Sequence, residues 1–228
     1  MSEMAIIVPT RGRPTNIEDL IVSLKETNTD SDLWLVLDDD DPELDHYLEL
    51  ENGQLVHTII VTREGKGMAK PLNKAAVFLA ESHAYKYFAF LGDDHRPRTD
   101  KWDQFFRTAL DRFHAGIVYG NDLIQGEALP TAVAMTANIV DELQGMVPPG
   151  LAHLYLDNFW LQLGKDLGSI SYLGHVVIEH LHPIAGKAEW DAGYKEVNAD
   201  EIYTADAKAY HEYISSPAYE KLLEAFRL

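Results

Sequence analysis

The sequence predicts an α/β protein built on a doubly wound, mostly parallel sheet flanked by helices, and three observations carry that expectation. Short β-branched and aromatic runs recur through the first half, helical patterns separate them, and each run stops in a polar loop. Apolar runs bounded by turn residues read as strands buried on both faces, as in parallel sheets covered by helices. Strands alternating with helices build such sheets.

The first strand is expected at Ala5-Ile6-Ile7-Val8, stopped by Pro9-Thr10-Arg11-Gly12-Arg13-Pro14. Thr15 or Asn16 is placed to cap a helix with Ile17, Leu20, Ile21 and Leu24 on its apolar face. A second strand, Leu33 to Leu37, ends in Asp38-Asp39-Asp40-Asp41-Pro42, and a third, Thr58 to Thr62, leads into Arg63-Glu64-Gly65-Lys66-Gly67. A helix over 71–82 carries Leu72, Ala75, Ala76 and Leu79, and a fourth strand, Tyr87 to Leu91, runs into Gly92-Asp93-Asp94-His95. The second half is less regular. Strands are expected over 116–120, 132–137 and 176–178, a short helix over 139–143, and helical spacing over 154–167. The tail from Pro217 to Leu228 reads as an amphipathic helix capped by Ser215 or Ser216.

In doubly wound sheets ligands sit beyond the carboxyl ends of the strands. Here four of those ends are polar: Thr10-Arg11, Asp38-Asp39, Arg63 to Lys66, and Asp93-Asp94-His95. Composition narrows the chemistry further. Lys+Arg 19 against Asp+Glu 37 leaves a net charge of −18, and splitting after residue 115 gives 13 − 21 = −8 and 6 − 16 = −10. No basic region hides in the average, which argues against tight duplex nucleic-acid binding. The absence of cysteine removes thiolate metal sites, Fe–S clusters and cysteine nucleophiles. No apolar run reaches the ~18 residues of a membrane span, and the opening lacks the basic and apolar regions of a signal peptide. A soluble, cytoplasmic protein without a membrane partner is expected.

Asp93 and Asp94 directly follow a buried strand, where a carboxylate pair can hold Mg²⁺ or Mn²⁺ and leave positions open for a diphosphate. The plain alternative is a solvated Asp-rich turn. In Glu179-His180-Leu181-His182-Pro183, an extended chain points His180 and His182 the same way, as a candidate imidazole pair. A hydrogen-bonded structural histidine is the plain alternative there. Within Asp38 to Asp41, most members are expected to solvate a loop, and Asp38 or Asp39 lies near enough to the sheet to accept hydrogen bonds from a base or ribose. Lys66 and Lys70 are placed to neutralise phosphate, although the nearby Gly65-x-Gly67 is neither a Rossmann fingerprint nor a P-loop. Asp157, beside Phe159 and Trp160, is either a helix cap or a general base whose pKa burial would raise. Serine-hydrolase, zincin and thiol-redox signatures are absent.

The ordered segments IIVPTRGRP, LDDDDP and FLGDDHRPRT resemble the nucleotide-sugar-binding half of GT-A glycosyltransferases of the family 2-like group, over about residues 4–125. The resemblance implies a single GT-A-like (Rossmann-like) domain over 1–228, with a nucleotide-sugar-binding half (1–125) and an irregular acceptor-side half (126–228). It implies that Pro9, Thr10, Arg11 and Arg13 lie against the nucleotide, that Asp38 or Asp39 meets the base, and that Arg63, Lys66, Lys70 and Asn73 shape the nucleoside and diphosphate pocket. Asp93 and Asp94 match the family's DxD element, Asp94 as metal ligand and Asp93 as a ribose or metal contact, with His95 where the strict form has Asp. His180 or His182 is similar to the late histidine that completes the Mn²⁺ or Mg²⁺ site, and Asp157 sits where inverting members carry the acceptor base.

The implied activity is metal-dependent transfer from a UDP- or GDP-linked sugar to an acceptor hydroxyl, the acceptor being a metabolite, a protein side chain or a modified DNA base. The net charge counts against a nucleic-acid acceptor unless Arg96, Arg98 and Lys101 form a local basic groove. Two alternatives stand beside this. A sugar-nucleotide nucleotidyltransferase would carry a G-x-G-T-R-L-type first loop, where this chain has PTRGRP. A non-catalytic nucleotide-binding module would bind without turnover.

Overall fold

The computed structural model describes residues 2–50, 56–187 and 192–227. The first half runs β1 (Met4–Thr10), α1 (Pro14–Glu26), β2 (Asp32–Asp38), α2 (Leu44–Leu50), β3 (Val56–Val61), α3 (Ala69–Glu81), β4 (Tyr87–Phe90), β5 (His95–Pro97) and α4 (Trp102–Leu110). The second runs β6 (Ile117–Asn121), β7 (Val133–Thr136), α5 (Ala137–Leu143), α6 (Leu156–Asp166), β8 (Ile170–His180), α7 (Ala192–Val197), α8 (Asp200–Ile214) and α9 (Pro217–Glu224).

Eight strands form one sheet in the order β3-β2-β1-β4-β7-β6-β8-β5. β1 to β4 are mutually parallel, β7 is antiparallel to both β4 and β6, β6 and β8 are parallel, and β5 is antiparallel to β8. All seven residues of β1 are buried, and they alternate between two cores. Ala5 and Ile7 face a core built with α3, α5, α6 and α9, while Met4, Ile6 and Val8 face one built with α1 and α4. This period of two explains why an unbroken apolar run is required: each face needs its own apolar set.

Several local expectations change. α1 begins at Pro14 with Arg13 at the N-cap and no side-chain cap, so Thr15 and Asn16 lie inside it. Proline presets the first helical φ and has no N–H to leave unpaired. β8 extends over 11 residues, and a register shift at Gly120/Asn121 interrupts its pairing with β6. The sequence expectations omit α4, although Trp102, Phe106, Ala109 and Leu110 recur at helical spacing on its buried face. They also omit α2, β5, α7 and α8. α9 is capped by Ser216, which accepts from Tyr219 N–H, and ends at Glu224; Leu228 lies outside the described residues. No helix among the described residues is long and apolar enough to cross a membrane.

Leu72 of α3 is fully buried in the core shared with β1. Leu72→Ala is expected to destabilise the protein by about 2–5 kcal/mol, read as a lower urea midpoint at an unchanged m value.

Candidate functional site

The chain passes outward from β1 to β2 and β3, then returns to place β4 on the other side of β1. That reversal opens a crevice at the carboxyl ends of β1 and β4, where open α/β sheets bind ligands. A cavity of about 770 Å³ lies there, within the ~300–1,000 Å³ of small-molecule sites. Loops after β1, β2, β3, β4 and β8 all contribute to it, together with residues of α6 and α7.

The carboxylate pair is buried rather than solvated: Asp93 is 7% and Asp94 8% exposed. Thr10 Oγ1 donates to Asp93 Oδ2 at 2.8 Å, and Arg13 Nη1 donates to Asp93 Oδ1 at 3.3 Å. Burial and the neighbouring Asp94 charge nevertheless push the Asp93 pKa up to about 6. For Asp94 burial also acts upward, but hydrogen bonds with His180 and His95 outweigh it and hold the carboxyl well below its ordinary range. The two adjacent carboxylates therefore titrate in different ranges, Asp94 ionising at lower pH than Asp93.

His180 Nε2 lies 3.2 Å from Asp94 Oδ2, and the His95 and His180 rings stack at 4.2 Å. Asp94, His95 and His180 offer one ligand atom each within 4.8 Å of one another. A hard, ionised oxygen with imidazole nitrogens fits Mn²⁺ better than Mg²⁺. Gly92 N–H donates to His95 Nδ1 at 2.9 Å, and His95 Nε2 is buried without a hydrogen-bond partner. Asp94 and His180 could hold a metal, with His95, whose Nδ1 already accepts from Gly92 N–H, as a third candidate.

His182 does not join that cluster. β8 ends at His180, so the strand alternation that would align the two histidines stops there. His182 lines the cavity and packs edge-on against His180 and Tyr194.

The other expected residues divide. Pro9, Thr10, Arg11, Arg13, Asp38, Arg63, Asp93 and Asp157 all line the cavity. Arg11 Nη1 binds Asp38 Oδ2 at 3.2 Å and Asp40 Oδ1 at 2.6 Å, and Arg63 Nε approaches Asp38 Oδ2 at 3.9 Å. Asp39 turns to the backbone instead, accepting from Arg63 N–H. Asp41 is buried and accepts from Gly12 and Glu43 N–H groups, so it fixes the β1 loop rather than solvating its own. Lys66 pairs with Glu196 of α7 at 3.2 Å, outside the lining set. Lys70 is exposed beside Glu64. Asn73 is a structural residue: its amide donates to Val147 C=O and accepts from Met146 and Val147 N–H. Lys70 and Asn73 both sit on α3, and neither lines the cavity. Arg96 and Arg98 do not present a basic groove: Arg96 is buried and donates to the backbone carbonyls of Asp93 and His95, and Arg98 is tied to Glu179.

Asp157 occupies the first turn of α6. Burial raises its pKa, offset in part by its hydrogen bond with Asn158 N–H and by the His180 charge. Trp160, one turn on, also lines the cavity and donates to Met146 C=O.

Four contributing residues were not anticipated. Tyr47 of α2 is fully buried; its hydroxyl accepts from Arg13 N–H at 2.7 Å and lies 3.3 Å from Thr10 Oγ1. Tyr194 of α7 donates to Asp94 Oδ2 at 2.7 Å, with the Arg13 guanidinium 4.0 Å above its ring. Tyr155 lines the cavity at φ 64°, a left-handed conformation that costs a non-glycine residue about 1–3 kcal/mol. His153 also lines it, and burial lowers its pKa to about 4, so the ring is neutral. Their only sequence signal is proximity of His153 and Tyr155 to Asp157; nothing local marks Tyr47 or Tyr194.

Tyr47→Phe removes the acceptor of the Arg13 N–H from a buried position. It is expected to destabilise the protein by about 1–3 kcal/mol, measured by denaturant unfolding.

No protein-family model and no curated protein matches the sequence. Solved structures match the fold. S. aureus TarS 1-349 in complex with UDP-GlcNAc superposes with a TM-score of 0.69 at 14% identity, covering 99% of this chain and 71% of that one. A longer S. aureus TarS structure gives 0.61 at 16% identity over 94% of this chain, which spans only 44% of that chain's length. A Desulfovibrio desulfuricans protein, provisionally described as a nucleotide-diphospho-sugar transferase, gives 0.52 at 11% identity, with both chains fully covered. The fold of this chain is therefore the GT-A-like fold of nucleotide-sugar transferases.

Proposed function

We propose that this chain is a glycosyltransferase that moves a sugar from a nucleoside-diphosphate donor to an acceptor hydroxyl, with metal dependence, inversion at the sugar and Asp157 as base. One observation carries the reading: the buried Asp93-Asp94 pair lies at the β1/β4 switch point, in a cavity also lined by Arg11, Arg13 and Arg63. The fold likeness to TarS, which binds UDP-GlcNAc, adds support and makes UDP-linked sugars the first donors to test.

In this reading Asp38, Arg11 and Arg63 form the nucleoside end, and Arg13 with Thr10 lies toward the diphosphate. Asp94, His95 and His180 would hold Mn²⁺, which when bound supplies positive charge at the departing diphosphate. Asp157 takes the proton of the acceptor hydroxyl as that oxygen bonds to C1 of the sugar. The C1–O bond to the diphosphate breaks, and its electron pair leaves on the diphosphate oxygen. Burial raises the Asp157 pKa toward the range of an effective base.

Calorimetric titration of UDP, GDP and their sugar conjugates, with and without Mn²⁺, is expected to show metal-dependent binding of one nucleoside diphosphate; no binding to any overturns the reading. Pyrophosphate release from a nucleoside triphosphate and a sugar 1-phosphate would instead indicate nucleotidyl transfer. Asp94→Ala is expected to abolish the Mn²⁺-dependent part of donor affinity, and unchanged affinity would remove Asp94 from the metal set. Asp157→Asn should keep donor binding and lower the transfer rate by about 10²–10⁴-fold, the usual contribution of a general base. Full activity in that variant would sink the base assignment.

A further inference from the structure

The segment that carries His153, Tyr155 and Asp157 into the cavity is held from outside it by a single carboxylate. Asp206 of α8 is 1% exposed. Its Oδ1 accepts from Ala152 N–H at 2.8 Å, and its Oδ2 accepts from His153 N–H at 2.9 Å and Leu154 N–H at 2.7 Å. Hydrogen bonds to an ionised acceptor are shorter and stronger than neutral ones. Three successive amides converging on one carboxylate fix the backbone direction immediately before the left-handed Tyr155 and the start of α6.

The other side of the same segment is anchored to the loop after β3. Ala152 C=O accepts from Ala69 N–H at 2.9 Å. Gly67, at φ 86°, passes so close that a Cβ there would lie 2.2 Å from Ala152 O. Residues 152–154 are thus gripped between the start of α3 and the buried Asp206. Without Asp206 the three N–H groups lose their common acceptor, while the Ala69 anchor alone fixes only one point of the segment.

We infer that Asp206 is a positioning residue for transfer: it sets the 152–157 segment so that Asp157 meets the acceptor hydroxyl, without itself touching substrate. This rests on the glycosyltransferase reading. It extends the machinery to α8, at a residue outside the cavity lining. The donor-side groups Arg11, Asp38 and Arg63 make their contacts independently of Asp206.

The test compares wild type, Asp206→Ala and Asp206→Asn in UDP-sugar affinity, transfer kcat and thermal midpoint. A displacement of about 1 Å at reacting groups costs on the order of 10²-fold in rate. Asp206→Ala is expected to lower kcat by about that factor with donor affinity within about threefold of wild type. Asp206→Asn, whose amide oxygen can keep the His153 and Leu154 bonds while its NH2 faces the Ala152 N–H, is expected to lose an intermediate factor of about tenfold in kcat; it also serves if Asp206→Ala does not fold. A thermal midpoint that falls in either folded variant while kcat stays within threefold would make Asp206 purely structural and overturn the inference. Loss of donor affinity in parallel with kcat would overturn it as well. Failure of the wild type to bind any nucleoside diphosphate would be a separate result, striking the glycosyltransferase reading and this role with it.

Discussion

Two adjacent carboxylates buried at the end of a central strand are costly, because neither the low-dielectric surroundings nor their mutual repulsion favours charge. The structure around Asp93 and Asp94 answers that cost from four directions. Thr10 and Arg13 come from the β1 loop, His180 from the end of β8, Tyr194 from α7, and His95 from the same turn. Tyr47 in turn holds the β1 loop in place through Arg13 N–H. The order of strands at the switch point, the extension of β8 to His180 and the folding of α7 over the crevice all converge on the pair.

Much of the acidic excess has a similar local purpose. Asp41 accepts from Gly12 and Glu43 N–H groups, Asp122 from those of Ile124, Gln125 and Gly126, and Asp206 from those of residues 152–154. Each of these side chains is buried. Loops that carry functional groups contain backbone donors with no strand or helix partner, and a buried carboxylate satisfies two or three at once. A net charge of −18 therefore reflects, in part, how the irregular segments are held, and not simply a solubilising surface.

Legibility followed range. The parallel first half was readable because β1, β2 and β4 are apolar on both faces and each stops at its polar loop within a residue or two. The position of Asp93-Asp94 at a strand end, and of Asp38 at another, came with that pattern. Asn73 and Lys70 illustrate the opposite case. Lys70 was expected near phosphate from its place beside Gly65-x-Gly67 and Asn73 from the family resemblance, but on α3 Asn73 bonds to the 146–147 backbone and Lys70 lies beside Glu64. His182 lies outside the Asp94–His95–His180 cluster because β8 ends at His180, two residues before it, so strand alternation does not reach it.

The sequence by itself determined the α/β class, the parallel core and the strand-end acidic turns, because these depend on periodicity and turn chemistry within a few neighbouring residues. Only the tertiary structure decided which groups surround Asp94, since His180 lies 86 residues and Tyr194 100 residues further along the chain. It also decided that Asp206, rather than any neighbour in sequence, would hold the segment before Asp157. Contacts of that range arise from the packing of whole elements, and no local pattern encodes the partner.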